Sequence, residues 1–61
     1  MNKLILVRAN DRKKASAFLD AAGIENVIVL GGIEVDWDDV DEASKVLEEK
    51  GYQHLIEEAL R

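Results

Sequence analysis

The chain has 61 residues, a formal net charge of −5 and no cysteine. One domain of this size, residues 1–61, buries only about 60% of the surface its unfolded form exposes, and such domains lean on disulfides, a structural metal or self-association. Without cysteine there is no disulfide or thiolate site, and His54 has no second histidine beside it, so no metal or cofactor is expected and self-association remains.

The first element is Leu4-Ile5-Leu6-Val7, a β-prone run ending near Arg8 or Ala9. Its four apolar residues fall short of the roughly 20 of a membrane span and the roughly 7–15 of a signal peptide, so a cytoplasmic protein with no membrane partner is expected. Asn10 and Asp11 are good N-caps for a helix carrying Ala15, Phe18, Leu19 and Ala22 on one face. Gly23 suits a left-handed residue just past its end, with Ile24 folding back onto Leu19. Val27-Ile28-Val29-Leu30 reads as strand two. Gly31-Gly32 reads as a two-residue hairpin turn with both glycines at positive φ, and Ile33-Glu34-Val35-Asp36-Trp37 alternates as strand three. That turn places Leu30 opposite Ile33 and Ile28 opposite Val35, on one face with Trp37, and leaves Val27 and Val29 beside Glu34 and Asp36. Asp38 is a natural N-cap for a second helix, with Asp41 at its third position and Val40, Ala43, Val46 and Leu47 as its stripe.

Gly51 interrupts. Tyr52, Leu55, Ile56, Ala59 and Leu60 keep helical spacing, so the periodicity predicts a C-terminal helix after Gly51; a fourth strand over Tyr52–Ile56 is the competing reading. No proline, linker, low-complexity tract or internal repeat stands out. The fold class is therefore α+β: a β-α-β-β-α two-layer sandwich with a three-stranded sheet. The order 1-3-2, with both helices on one face and strand one at an open edge, is favoured over 1-2-3.

Two stretches carry a resemblance. Ala9-Asn10-Asp11 leads into Phe18-Leu19-Asp20-Ala21-Ala22-Gly23-Ile24, and Ile33-Glu34-Val35-Asp36 leads into Glu42–Tyr52. Together they resemble small ferredoxin-like (split β-α-β) regulatory modules, similar to ACT domains and short signal-transducing proteins of the same order. The resemblance implies an oligomeric regulatory module. The glycine that ACT domains often use for amino-acid binding in the first strand-helix loop is absent here, so that ligand does not carry over.

Charge is unevenly placed. Residues 1–14 hold Lys3, Arg8, Arg12, Lys13 and Lys14 against the single Asp11, whereas residues 34–42 hold six acids and no base. Arg8, Asn10, Arg12 and Lys13 surround a strand-helix turn, where a helix N-terminus and bases suit a small nucleotide-like anion. The alternatives there are a solvated turn, or pairing with the acidic segment of a neighbouring copy. Asp36, Trp37, Asp38, Asp39, Asp41 and Glu42 crowd the other helix start, where the dipole favours acids. The same six residues could face a protein partner, and the acids among them could hold a hard cation. Trp37 is read chiefly as packing against the second helix. The overall acidity argues against nucleic-acid binding. Ser16, Ser44 and His54 read as surface residues with no triad spacing, so no catalytic set is expected. Leu4, Leu6, Val27, Val29, Leu55 and Ile56 are the expected oligomer interface. The favoured function is a non-catalytic homo-oligomeric binding or regulatory module, a dimer first. The alternative is a small acidic inhibitor or decoy of the phage or mobile-element type, acting through residues 34–42.

Overall fold

The computed structural model describes residues 2–58. The chain runs β1 (Asn2–Val7), α1 (Arg12–Ala21), β2 (Asn26–Val29), β3 (Gly32–Asp36), α2 (Val40–Glu49) and β4 (His54–Glu58). A 3₁₀ turn leads into each helix, at Ala9–Asp11 and at Trp37–Asp39. The strands form one antiparallel sheet in the order β2-β3-β1-β4. The α+β class and the place of β3 between β1 and β2 agree with the sequence reading. The sheet differs from it in having four strands.

The fourth strand lies where helical spacing predicts a C-terminal helix. The cause is the free side of β1, whose backbone donors and acceptors need partners that a helix cannot supply. β4 supplies them, pairing Lys3 with Glu58, Ile5 with Ile56 and Val7 with His54. β1 is thus interior, and docking of copies through residues 3–8 as an open edge is excluded. The edges are β2 and β4. Ala59 and Leu60 lie outside the described residues.

Alternation along the strands separates the faces. Ile5 and Val7 of β1 and Ile33 and Val35 of β3 point to the helix layer, where they meet Ala15 and Leu19 of α1 and Ala43 and Leu47 of α2. Ile24 completes this core, and Val40, Val46 and Tyr52 pack against it half-buried. Each fully buried Ile or Leu contributes roughly 1.5–3 kcal/mol. Ala22, expected on the apolar stripe, is exposed.

Both helices end alike. Gly23 and Gly51 take φ of 78° and 80°. The Ile24 amide donates to the Leu19 carbonyl at 2.9 Å and the Gly23 amide to that of Asp20 at 3.0 Å. In α2 the Tyr52 amide donates to Leu47 at 2.9 Å and the Gly51 amide to Glu48 at 3.0 Å. This doubly bonded end satisfies carbonyls that the helix leaves open.

The hairpin register is shifted from the expected one. Val29 pairs with Gly32 and Ile28 with Ile33, so the two turn residues are Leu30 and Gly31. Only Gly31 has positive φ, at 97°. Gly32 is held for another reason: a Cβ there would run into the Ile5 carbonyl oxygen. A shift of two residues keeps every side chain on its expected face, except that Leu30 enters the turn and is almost fully exposed. At the start of α2 the 3₁₀ turn separates strand from helix. Asp38 therefore lies inside that turn and does not cap α2 with Asp41. The Asp36 carboxylate accepts from the Asp38 amide at 3.4 Å instead.

An internal repeat relates the two halves, contrary to the sequence reading. The 3₁₀ turns begin at residues 9 and 37, the helices at 12 and 40, and the outer strands at 26 and 54, always 28 positions apart. Ala15, Ser16, Leu19, Gly23 and Ile28 recur as Ala43, Ser44, Leu47, Gly51 and Ile56. Registers obey the same rule: Val27 opposite Glu34 becomes Leu55 opposite Leu6. Ile5 sits directly opposite its own equivalent, Ile33, so a pseudo-twofold axis passes between them. The repeat is hard to see in the sequence because the charged and turn positions have diverged.

Candidate functional site

Both helices lie on one side of the sheet; among the described residues no helix covers the other. The even-numbered residues of β1, with their cross-strand partners, form this open face. Leu4 and Leu6 sit centrally, Val27 and Val29 on one flank and Leu55 on the other. Val27 is 62% and Leu55 69% exposed, each a β-sheet side chain with half or more of its surface in water. Glu34 interrupts the apolar strip; it is only 7% exposed and its Oε1 accepts from Asn2 Nδ2 at 2.7 Å. Five of the six expected interface residues therefore share one surface. Ile56 does not, because it stands opposite Ile5 and points to the helix side.

Two grooves lie at opposite ends of the sheet. The larger, about 770 Å³, is lined by Leu6, Val7, Arg8, Gln53, His54 and Leu55, with Glu48 and Tyr52 at its helix side. The smaller, about 320 Å³, is lined by Asn2, Glu25, Asn26, Val27, Glu34, Val35 and Asp36. Six lining positions of each are equivalents under the internal repeat, among them Leu6 and Glu34, Arg8 and Asp36, Gln53 and Glu25, Leu55 and Val27. The strand-side positions are shared, but the volumes and the charges differ. At the first groove Arg8 is exposed beside neutral Gln53; at the second, exposed Asp36 and Glu25 flank Glu34.

In the basic turn, Arg12 is engaged by the backbone. Arg12 bends back so that its Nε donates to the Val7 carbonyl at 2.9 Å, closing the end of β1. Asn10 and Lys13 are exposed and do not line the groove beside Arg8. Of the four residues expected to hold an anion, Arg8 alone lines this groove. The acidic segment stays together: Asp36, Asp38, Asp41 and Glu42 are exposed and Asp39 half-buried around Trp37. Trp37 is 55% exposed and does not pack in the core, because the 3₁₀ turn carries it past the sheet end.

The fold also joins side chains that the sequence reading kept apart. Ser44 Oγ lies 2.6 Å from His54 Nε2, and His54 Nδ1 lies 3.2 Å from the Tyr52 carbonyl. A carbonyl can only accept, so Nδ1 is the donor to Tyr52, and in the neutral ring Nε2 then accepts from the serine. In the other half Ser16 Oγ bonds Asn26 Oδ1, and Asn26 Nδ2 donates to Asp20 Oδ1 at 2.7 Å and to the Ile24 carbonyl at 2.9 Å. Each pair ties a helix to the strand that follows it. Ten residues separate the partners in both halves, and that matching interval is the signal by which the sequence could have revealed them.

Among the described residues no helix is long and apolar enough to cross a membrane, and no group of three or more acids or histidines is arranged to hold a metal ion. Comparison of the chain with protein-family models, with curated proteins and with solved structures finds no match.

Proposed function

We propose that this protein is a non-catalytic binding module of the cytoplasm that works as a homodimer, its two copies meeting through the open sheet face. The observation that carries the reading is the strip of half-buried Leu4, Leu6 and Val29 flanked by exposed Val27 and Leu55, on a sheet whose helices cover only the opposite side. Clustered apolar surface of this kind, even broken by Glu34, marks an interaction site in a water-soluble protein. The molecule measures 28 × 22 × 15 Å between Cα atoms. A whole face of that size, widened by its side chains, is of the order of the roughly 800 Å² per partner that stable complexes bury. Closed twofold pairing is the commonest solution for a self-complementary patch. The β-α-β-β-α-β order with β1 and β3 central supports kinship with small ferredoxin-like regulatory modules. The non-catalytic reading is supported by the internal repeat. The Ser44–His54 pair occupies the place of Ser16–Asn26, and an asparagine cannot serve as a general base. Sedimentation equilibrium at micromolar concentration is expected to report a dimer, and Leu6→Lys with Leu55→Lys a folded monomer. A wild-type chain that stays monomeric at high concentration overturns the proposal.

A second reading is favoured by Trp37. An indole more than half exposed amid Asp36, Asp38, Asp41 and Glu42 has the make-up of an interface anchor for a basic protein partner, as an acidic inhibitor or decoy would carry. If it holds, Trp37→Ala abolishes capture of that partner while the dimer persists.

A further inference from the structure

From the two grooves we infer that the dimer is twofold with its sheets crossed, the Arg8 corner of each copy seated on the Glu25–Asp36 corner of the other. This rests on the face-to-face dimer proposed above and goes further by fixing its orientation and its ion pairs.

Charge is placed diagonally across the open face. β1 and β3 run antiparallel, so the residue following β1 and the last residue of β3 lie at opposite ends of the sheet. Arg8 therefore stands at one end, on the β1–β4 side, and Asp36 at the other, on the β3–β2 side. Gln53 precedes β4 next to Arg8, and Glu25 precedes β2 next to Asp36. The face thus has a basic corner at Arg8 and an acidic one at Glu25 and Asp36, with Leu4, Leu6 and the two valines between them; Glu57, exposed opposite Leu4, adds an acid at a third corner, on the diagonal that does not join these two.

A surface of that pattern is complementary to itself in only some orientations. A twofold axis along the Arg8–Asp36 diagonal sets Arg8 against Arg8 and the acidic groove against the acidic groove. A twofold axis lying between the faces, along the other diagonal, exchanges the corners and forms the Arg8-to-acid contact twice. Such an axis turns the strands of one sheet to close to a right angle (~90°) with those of the other, one of the two standard sheet packings. The internal repeat strengthens the fit. Because both grooves descend from the same half-molecule pattern, they have equivalent walls, Leu6 with Leu55 in one and Glu34 with Val27 in the other. Charges at the edge of an apolar contact set register and exclude wrong pairings more than they add affinity.

The test is a charge swap between two chains. Arg8 and Glu25 are both exposed, and neither side chain makes a hydrogen bond among those described, so Arg8→Glu and Glu25→Arg should fold. Circular dichroism checks this. Asp36 is left intact because it caps the turn at Asp38. Each variant alone sets like charges together at both corners, and its dimer affinity is expected to fall about tenfold or more. In an equimolar mixture the heterodimer restores both pairs. At one corner the two substituted side chains meet, acid and base with their places exchanged; at the other, the native Arg8 and Glu25 meet. Native mass spectrometry of a mass-labelled mixture should therefore show the heterodimer dominating both homodimers. Variants that dimerise as tightly as the wild type, or a mixture that gives no excess of heterodimer, overturn the pairing while leaving the face-to-face dimer in place. A wild-type monomer overturns the proposed function itself.

Discussion

Gly31 and Gly32 are neighbours held by different physics. Gly31 has φ of 97° with nothing near the position of a Cβ, so its constraint is purely conformational. Gly32 has ordinary φ, but a Cβ there meets the Ile5 carbonyl oxygen on the central strand. Gly31→Ala should cost about 1 kcal/mol, the usual penalty for a side chain in the left-handed region. Gly32→Ala should cost distinctly more, because two paired backbones must separate to admit the methyl group. Thermal denaturation separates them: about 4–8 °C lost per kcal/mol in a domain of this size. Equal losses would mean that the close approach at Gly32 is absent in solution. The same reasoning explains the slipped turn. The residue without a side chain is placed where a Cβ on β3 would meet the Ile5 carbonyl of β1, and the turn forms one step earlier.

The two serine ties belong to the scale of helix and strand. Ser44 to His54 fastens β4 to α2 as Ser16 to Asn26 fastens β2 to α1. Since asparagine already does this work at position 26, His54→Asn should retain most of the stability. Ser44→Ala should lose about 1 kcal/mol, having left the imidazole nitrogen without its donor. Urea denaturation of the two variants checks this; a His54→Asn loss as large as that of Ser44→Ala would show that the halves are not interchangeable here. Legibility followed the range of the interaction. The end of α1 could be read from Gly23 and Ile24 because capping is local. The buried stripe of α2 was equally plain, since Ala43 and Leu47 recur at helical spacing. β4 could not be read, because Leu55 and Ile56 fit either period. The choice was made by the bare side of β1, at the far end of the chain. The open face was legible from Val27 and Val29. The charge-inverted grooves were not, for they depend on the register of four strands at once.

At the scale of the whole molecule, the pseudo-twofold between Ile5 and Ile33 has a topological consequence. Val29 pairs with Gly32 across the β2–β3 hairpin, and the equivalent position in the other half is Glu57 opposite Leu4. β4 thus finishes beside the start of β1 in the geometry that a short hairpin loop spans. The described chain is a ring of two β-α-β units, joined by a hairpin at one seam and cut at the other. Moving the cut should change little. A circular permutant that begins at Gly31 and links Glu58 to Asn2 through a short glycine-containing loop keeps every strand pair and both helices. It is expected to give the same circular dichroism spectrum and to unfold in a single cooperative transition. A permutant that stays unfolded would mean that the Leu30–Gly31 turn must form before the halves can assemble, and that the ring closes in only one direction.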